Sequence, residues 1–149
     1  MNNDTNHIKS GIWGGLIAGI VFGAMMAMMG MLPTVAMLLK SKSAVLGFVL
    51  NLVLSAIIGG IFGLVFGHSA TSKGSGILLG LLYGAIWWIL GPLIVMPLWL
   101  GMGIRLSAKG MAMALPSLWG HLVYGFISGL VYPMFAKKEV DQGPIIKEV

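Results

Sequence analysis

The sequence contains no cysteine and very few charged residues. Its 149 residues include four acidic and nine basic side chains, so 9% of the chain is charged, whereas about 25% is usual for a soluble domain. The missing cysteines exclude disulfides, thiolate metal sites and cysteine nucleophiles. So few charges cannot cover the surface of a water-soluble fold of this size, and this composition predicts a membrane protein.

The usual enzymatic motifs are missing as well. The sequence has no GxGxxG after a strand, no Walker lysine motif and no HExxH. All four acids lie near the two ends of the chain, so serine, histidine and acid cannot form a triad inside a membrane. We expect no enzymatic activity, no resident cofactor or metal and no nucleic-acid partner. The net charge of +5 favours contact with the anionic headgroups of a lipid bilayer.

Long charge-free stretches dominate what is present. They cover residues 10–39, 43–72, 74–104 and 110–136. A helix needs about 20 apolar residues to cross the hydrocarbon core, so each stretch is long enough for one crossing and too short for two. None alternates between polar and apolar residues as barrel strands do. The sequence predicts an all-α membrane protein, a four-helix bundle with transmembrane helices at 11–37, 44–68, 76–100 and 112–135.

The expected organisation is two helical hairpins between two polar tails. The N-terminal tail covers residues 1–9 and the first hairpin residues 10–68. The connecting loop covers residues 69–75, the second hairpin residues 76–135 and the C-terminal tail residues 136–149. Both termini then lie on one face, called here the tail face, with Lys9, Lys73, Lys137, Lys138 and Lys147. The opposite, hairpin-loop face carries Lys40, Lys42, Arg105 and Lys109. The slight excess favours cytoplasmic termini in the cell membrane and leaves dual topology open.

The two hairpins resemble each other in sequence. Glycines in the first helix reappear 65 residues later in the third, and small or polar residues in the second reappear 66 residues later in the fourth. GLVF at 63–66 matches GLVY at 129–132 in the same way. Both hairpins enter the membrane in the same direction, so we predict a parallel repeat of two plus two helices.

Glycine recurs every fourth residue along each predicted helix. Residues four apart share one helix face, and stripes of small residues let membrane helices approach closely. The pattern therefore predicts glycine-striped packing faces; the packing residues are Gly11, Gly15, Gly19, Gly23, Gly59, Gly63, Gly76, Gly80, Gly84, Gly125 and Gly129.

Four polar residues are expected to form an intramembrane cluster. Asn51 and Ser117 occupy equivalent repeat positions, and so do Ser55 and His121. If the second and fourth helices cross along their glycine stripes, these groups meet at one depth, and His121 bonds to Asn51 or Ser55. Such a cluster is either a hydrogen-bond clamp between helices or a polar station on a solute or proton path.

Metal binding is a third interpretation of the polar and sulfur-containing residues. His121 as a haem or metal ligand would need a second histidine from another protomer. Met25 and Met29 form an MxxxM pair, and thioethers favour Cu(I), but the neighbouring methionines surround the helix rather than lying along one line. Methionine is also an adaptable apolar filler.

Three segments resemble small four-helix membrane proteins of unknown function found in bacteria and archaea. They are MMGMLP at 28–33, YGAIWWILGPLIVMPLWLGM at 83–102 and GHLVYG at 120–125. The resemblance extends over most of residues 10–135 and implies a membrane bundle without implying a substrate.

For function, we expect an oligomeric transport or permeation unit for a small solute. Because glycine contacts leave little room inside the bundle, the path is expected between the protomers of a homo-oligomer. The alternatives are a structural or accessory subunit that assembles with another membrane protein and, less favoured, a haem- or copper-binding protein.

Overall fold

A computed structural model describes the main chain of residues 3–141 and the side chains of residues 4–136. Most of the expected C-terminal tail, including the side chains of Lys137 and Lys138, lies outside the described residues. Within them the chain is helical and has no strand, which confirms the all-α prediction. Four helices are long and apolar enough to cross a membrane, at Asp4–Met28, Ala44–Phe66, Lys73–Trp99 and Ala108–Ala136.

The helices follow one another with short connections. They are α1 (Asn3–Met28), α2 (Leu32–Ala36), α3 (Ala44–Phe66), α4 (Lys73–Trp88), α5 (Met96–Trp99) and α6 (Ala108–Asp141). A single 3-10 turn, Met37–Leu39, follows α2, and a π-helical segment, Ile89–Val95, joins α4 to α5. Ser43 caps α3 by accepting from the Leu46 N–H, and Ser72 with Ser75 forms a capping box at the start of α4.

The first helix differs from its expected span of 11–37. It begins at Asn3, so the described part of the expected N-terminal tail belongs to it, and it ends at Met28. The end is a Schellman motif, since Gly30 has φ +67° and the N–H groups of Gly30 and Met31 donate to the carbonyls of Ala27 and Met26. The chain then restarts as α2, which has Pro33 in its first turn.

The third membrane-spanning helix, Lys73–Trp99, is interrupted at Gly91 and Pro92. Pro92 lacks an N–H, and the helix passes it as a π-helical segment in which the Met96 N–H donates to the Gly91 carbonyl five residues earlier. Such segments are rare and occur often at functional sites.

Around the bundle the long helices follow the order α1, α3, α4, α6. Each hairpin pairs its own two helices, and α1 also packs along α6. The second and fourth membrane-spanning helices are α3 and α6, and they lie at opposite corners of the bundle. The expected crossing of these two helices is therefore wrong. Gly59 and Gly63 of α3 lie against α1, and Gly125 and Gly129 of α6 lie against α4.

Main-chain atoms meet directly in both hairpins. A Cβ placed on Gly15 would lie 2.8 Å from the Gly59 Cα, and one on Gly11 would lie 3.0 Å from the Gly63 nitrogen. In the second hairpin, a Cβ on Gly80 would lie 3.1 Å from the Gly129 Cα. These distances are inside van der Waals contact, so any side chain at these positions would push the helices apart.

The two seams between the hairpins differ. At the α1–α6 seam, Phe22 fits over Gly120, and Gly14 lies against the Ser128 carbonyl, where a Cβ would lie 3.2 Å from its oxygen. At the α3–α4 seam the main chains stay apart, and the Tyr83 hydroxyl reaches across to donate to the Ile58 carbonyl at 2.7 Å. The bundle is thus closed along one seam and spaced by side chains along the other.

Gly129→Ala tests the main-chain contact. The added methyl would lie 3.2 Å from the Gly80 Cα and closer still to Gly76, and overpacking of this kind costs about 1–3 kcal/mol. We expect a lower midpoint of thermal unfolding in detergent. Gly74→Ala is the matched control, since its nearest atom is the Ser72 hydroxyl at 4.0 Å. Equal stability of the two variants would contradict this description of the α4–α6 contact.

Candidate functional site

A cavity of about 470 Å³ occupies the hairpin-loop end of the bundle. It lies between α3 on one side and the π-helical segment and α6 on the other, with α2 across its outer end. It arises at the α3–α4 seam, where side chains rather than main chains set the spacing. Its volume is about three times the roughly 150 Å³ of a cavity that accepts benzene, and it lies within the usual range of small-molecule sites.

All four residues of the expected polar cluster line this cavity: Asn51, Ser55, Ser117 and His121. Asn51 is buried, and its Nδ2 donates to the Gly19 carbonyl of α1 at 2.8 Å. The Ser117 hydroxyl donates to the Ala114 carbonyl of its own helix at 2.7 Å. The structure therefore brings the four residues around one space, in which Asn51 and Ser117 bond to main-chain carbonyls.

His121 has a defined tautomer in this arrangement. Its Nδ1 lies 2.8 Å from the Ser117 carbonyl oxygen, and a carbonyl can only accept, so Nδ1 carries the proton. Nε2 then has a free lone pair, and it points towards Gly91, where an added Cβ would lie 3.8 Å away. The hydrogen bond expected from His121 to Asn51 or Ser55 is not among those that the described residues make.

Tyr124 makes the direct link between α6 and α3. Its buried hydroxyl donates to the Ser55 carbonyl at 2.7 Å. The hydroxyl passes close to Gly15 of α1, where a Cβ would lie 3.0 Å from it. A glycine on the intervening helix thus lets a tyrosine bridge two diagonal helices, a relation that spacing along the sequence does not reveal.

The cavity ends towards the tail face at an aromatic cluster. Ile58 and Trp87 line its inner end and pack against buried Phe62, Tyr83 and Tyr132. The rings of Phe62 and Tyr132 are 5.5 Å apart and nearly perpendicular. The space is therefore one-sided, with its outer end at the hairpin-loop face and its inner end filled by rings.

Residues outside the long helices shape the outer end. The Trp99 indole N–H donates to the Leu38 carbonyl at 2.9 Å, which joins α5 to the turn after α2. Arg105 is the charged residue of the lining, and its main-chain N–H donates to the Leu93 carbonyl at 2.8 Å. In the sequence Arg105 indicated only topology, although its place just before α6, among glycines and apolar residues, was the available signal for a lining residue.

The methionines of the cavity are not those of the MxxxM motif. Met25 and Met29 are absent from the lining, which instead includes Met26, Met31, Met37, Met96, Met102 and Met113. Among the described residues, no group of three histidine or acidic side chains is placed to hold a metal ion. The methionines therefore contribute flexible, apolar side chains to the wall of the cavity.

No protein-family model, curated protein or solved structure matches this chain. The resemblance to small four-helix membrane proteins stays a prediction, and the cavity is interpreted from its own geometry.

Tyr124→Phe tests the bridge from α6 to α3. The ring stays in contact with Phe22, whereas the bond to the Ser55 carbonyl is lost, so stability should fall by about 0.6 kcal/mol and by no more than about 1.7. Unfolding in detergent measures this change. Trp99→Phe, which removes a bond from a side chain that is 70% exposed, should cost less; the reverse order would contradict the structural role of Tyr124.

Proposed function

We propose that the protein is a multi-pass protein of the cell membrane that admits a small, mostly apolar solute into the cavity, as a transport or permeation unit. The observation that carries the proposal is the cavity itself, within one chain, with an outer end at one face and an aromatic barrier before the other. A space accessible from one face is what a carrier needs in one of its states. Because the cavity lies inside the bundle, the path need not run between protomers.

The mixed lining supports a binding role. Ligand sites are mostly apolar and contain a few oriented polar groups, and here the Nε2 lone pair of His121 is such a group. A hydrogen-bond clamp would satisfy all of its polar members, whereas the bond to Ser117 leaves Nε2 as an acceptor facing Gly91. Nε2 of His121 is therefore the acceptor that the lining offers to a solute or to a water bound beside it.

The proposed topology has both termini in the cytoplasm, so the outer end of the cavity faces the outside of the cell. The basis is the small excess of lysines on the tail face. Many apolar side chains remain exposed along all four long helices, as contact with lipid or with another copy requires. We propose a homo-oligomer in which each chain keeps its own cavity.

Thiol labelling tests the cavity, since the protein has no native cysteine. Leu54 lines the cavity, whereas its neighbour Val53 is 50% exposed on the outer surface of the bundle. We expect a membrane-impermeant anionic thiosulfonate, applied to intact cells, to modify Leu54→Cys and not Val53→Cys, because lipid covers position 53.

Inside-out vesicles provide the opposite arm of this experiment. The reagent should leave Leu54→Cys unmodified there, because the aromatic cluster separates the cavity from the tail face. Labelling of neither variant from either side would overturn the proposed solute access. Labelling of Leu54→Cys from the vesicle side alone would reverse the proposed topology.

We further propose that the bundle is a duplicated hairpin held by glycine-striped faces. Corresponding contacts in the two hairpins support this proposal. The first hairpin has the contacts Gly11–Gly63 and Gly15–Gly59, and the second has the contacts Gly76–Gly129 and Gly80–Gly125 at the matching positions. Each pair is related to its counterpart by the offsets of 65 and 66 residues.

One pair of positions exchanges large and small residues between the halves. In the first hairpin Phe48 covers Gly23, where a Cβ would lie 2.6 Å from the ring. At the corresponding positions of the second hairpin, Trp88 covers Ala114 and donates to its carbonyl at 3.0 Å. The same space is thus filled from opposite helices in the two halves, as expected after duplication and compensating substitution.

The double variant Trp88→Gly, Ala114→Phe tests this correspondence. Trp88→Gly alone should leave a void and cost about 3–5 kcal/mol, and Ala114→Phe alone should clash with Trp88. Together they reproduce the residue pair of the first hairpin, so the double variant should be more stable than the sum of the single effects by at least about 1 kcal/mol. Simple additivity of the unfolding free energies would contradict the proposed equivalence.

A further inference from the structure

Charge is distributed unevenly along the cavity. Arg105 lies at the outer end and is the one charged residue of its lining, whereas the inner end is uncharged and mostly apolar, with Leu54, Ile58 and Trp87 beside Ser55. The hairpin-loop face as a whole carries four basic residues and no acid. A molecule that fits this distribution has a negative end and an apolar end.

Arg105 is held in place by its main chain. Its N–H donates to the Leu93 carbonyl of the π-helical segment, and its carbonyl packs on Gly110 of α6, where an added Cβ would lie 3.0 Å from the Arg105 carbonyl carbon. Both walls of the cavity thus fix the residue.

The guanidinium has no carboxylate partner among the described residues. Its one side-chain hydrogen bond there runs from Nη2 to the Met102 sulfur at 3.5 Å, and a thioether is a weak acceptor. All four acids of the chain lie near its two ends in the sequence, far from Arg105 along the chain. Four of the five N–H donors of the planar guanidinium therefore remain available to an oxyanion, which it can bind in a bidentate manner.

We infer that the cavity binds an anionic amphiphile with a single apolar chain, whose oxyanion head lies at Arg105 and whose chain extends towards Ile58 and Trp87. This inference rests on the proposed function and names its substrate class. The cavity of about 470 Å³ holds on the order of 15 non-hydrogen atoms, if each takes about the 30 Å³ that a water occupies in the liquid. That is room for one chain and not for the two chains of a phospholipid.

Photolabelling of the full-length protein tests this inference. The probe is tetradecanoate with a diazirine in mid-chain, added to protein in nanodiscs of neutral phosphatidylcholine, with mass spectrometry to locate the label. We expect label on cavity residues of α3 and α6, which excess tetradecanoate removes and tetradecanol removes much less.

Arg105→Gln should weaken the competition by tetradecanoate roughly tenfold or more, the loss expected for a charge-assisted hydrogen bond, and should leave the competition by tetradecanol unchanged. Lys109→Gln is the matched control, because Lys109 is an exposed base on the same face that does not line the cavity. Leu54→Trp should reduce labelling by the diazirine probe itself, since the larger side chain fills the space for the apolar chain.

The other outcomes separate the two proposals. Equal competition by acid and alcohol, with no effect of Arg105→Gln, would overturn the anionic ligand and leave an apolar solute in the cavity. Displacement by phosphatidylglycerol as effective as that by tetradecanoate would overturn the single-chain assignment. Label confined to lipid-facing positions such as Val53 would overturn both the ligand and the proposed solute site.

Discussion

Direct contact between helix main chains is the constraint on which the rest of the structure depends. Lipid is as apolar as the helices, so burial of apolar surface does not drive their association, and close packing must replace it. In each hairpin the backbones meet where glycines face glycines, as at Gly15 with Gly59 and Gly80 with Gly125. No space for a ligand remains inside a pair of helices packed in this way.

Any internal space must therefore lie between the hairpins, and the two seams are unequal. Small residues and Phe22 close the α1–α6 seam, whereas tyrosine and tryptophan side chains hold α3 and α4 apart. Where those rings end, towards the hairpin-loop face, the seam is left unfilled. The π-helical segment that contains Pro92 forms the wall of this space beside His121. The cavity thus follows from unequal filling of the two seams between the hairpins.

The polar residues show what the spacing of residues in the sequence can and cannot predict. Asn51, Ser55, Ser117 and His121 were expected together because they occupy equivalent positions at one depth, and they do surround one cavity. The expected contact between the second and fourth helices was wrong, because depth along the membrane says nothing about position around the bundle. A diagonal pair cannot share direct bonds between short side chains, and only Tyr124 is long enough to reach Ser55 across Gly15.

The number, length and apolar character of the helices are properties of the sequence alone, because hydrocarbon requires every main-chain group to find a partner within its own helix. Local residues also determine where α1 ends. Gly30, in a left-handed conformation, and Pro33 soon after it stop the helix, although the apolar stretch of the sequence continues past them. Tertiary structure decided which helices are neighbours, which seam stayed open and that Arg105 lines a cavity. Those outcomes depend on how side chains from distant parts of the sequence pack against one another between the helices. A local sequence pattern does not indicate that packing.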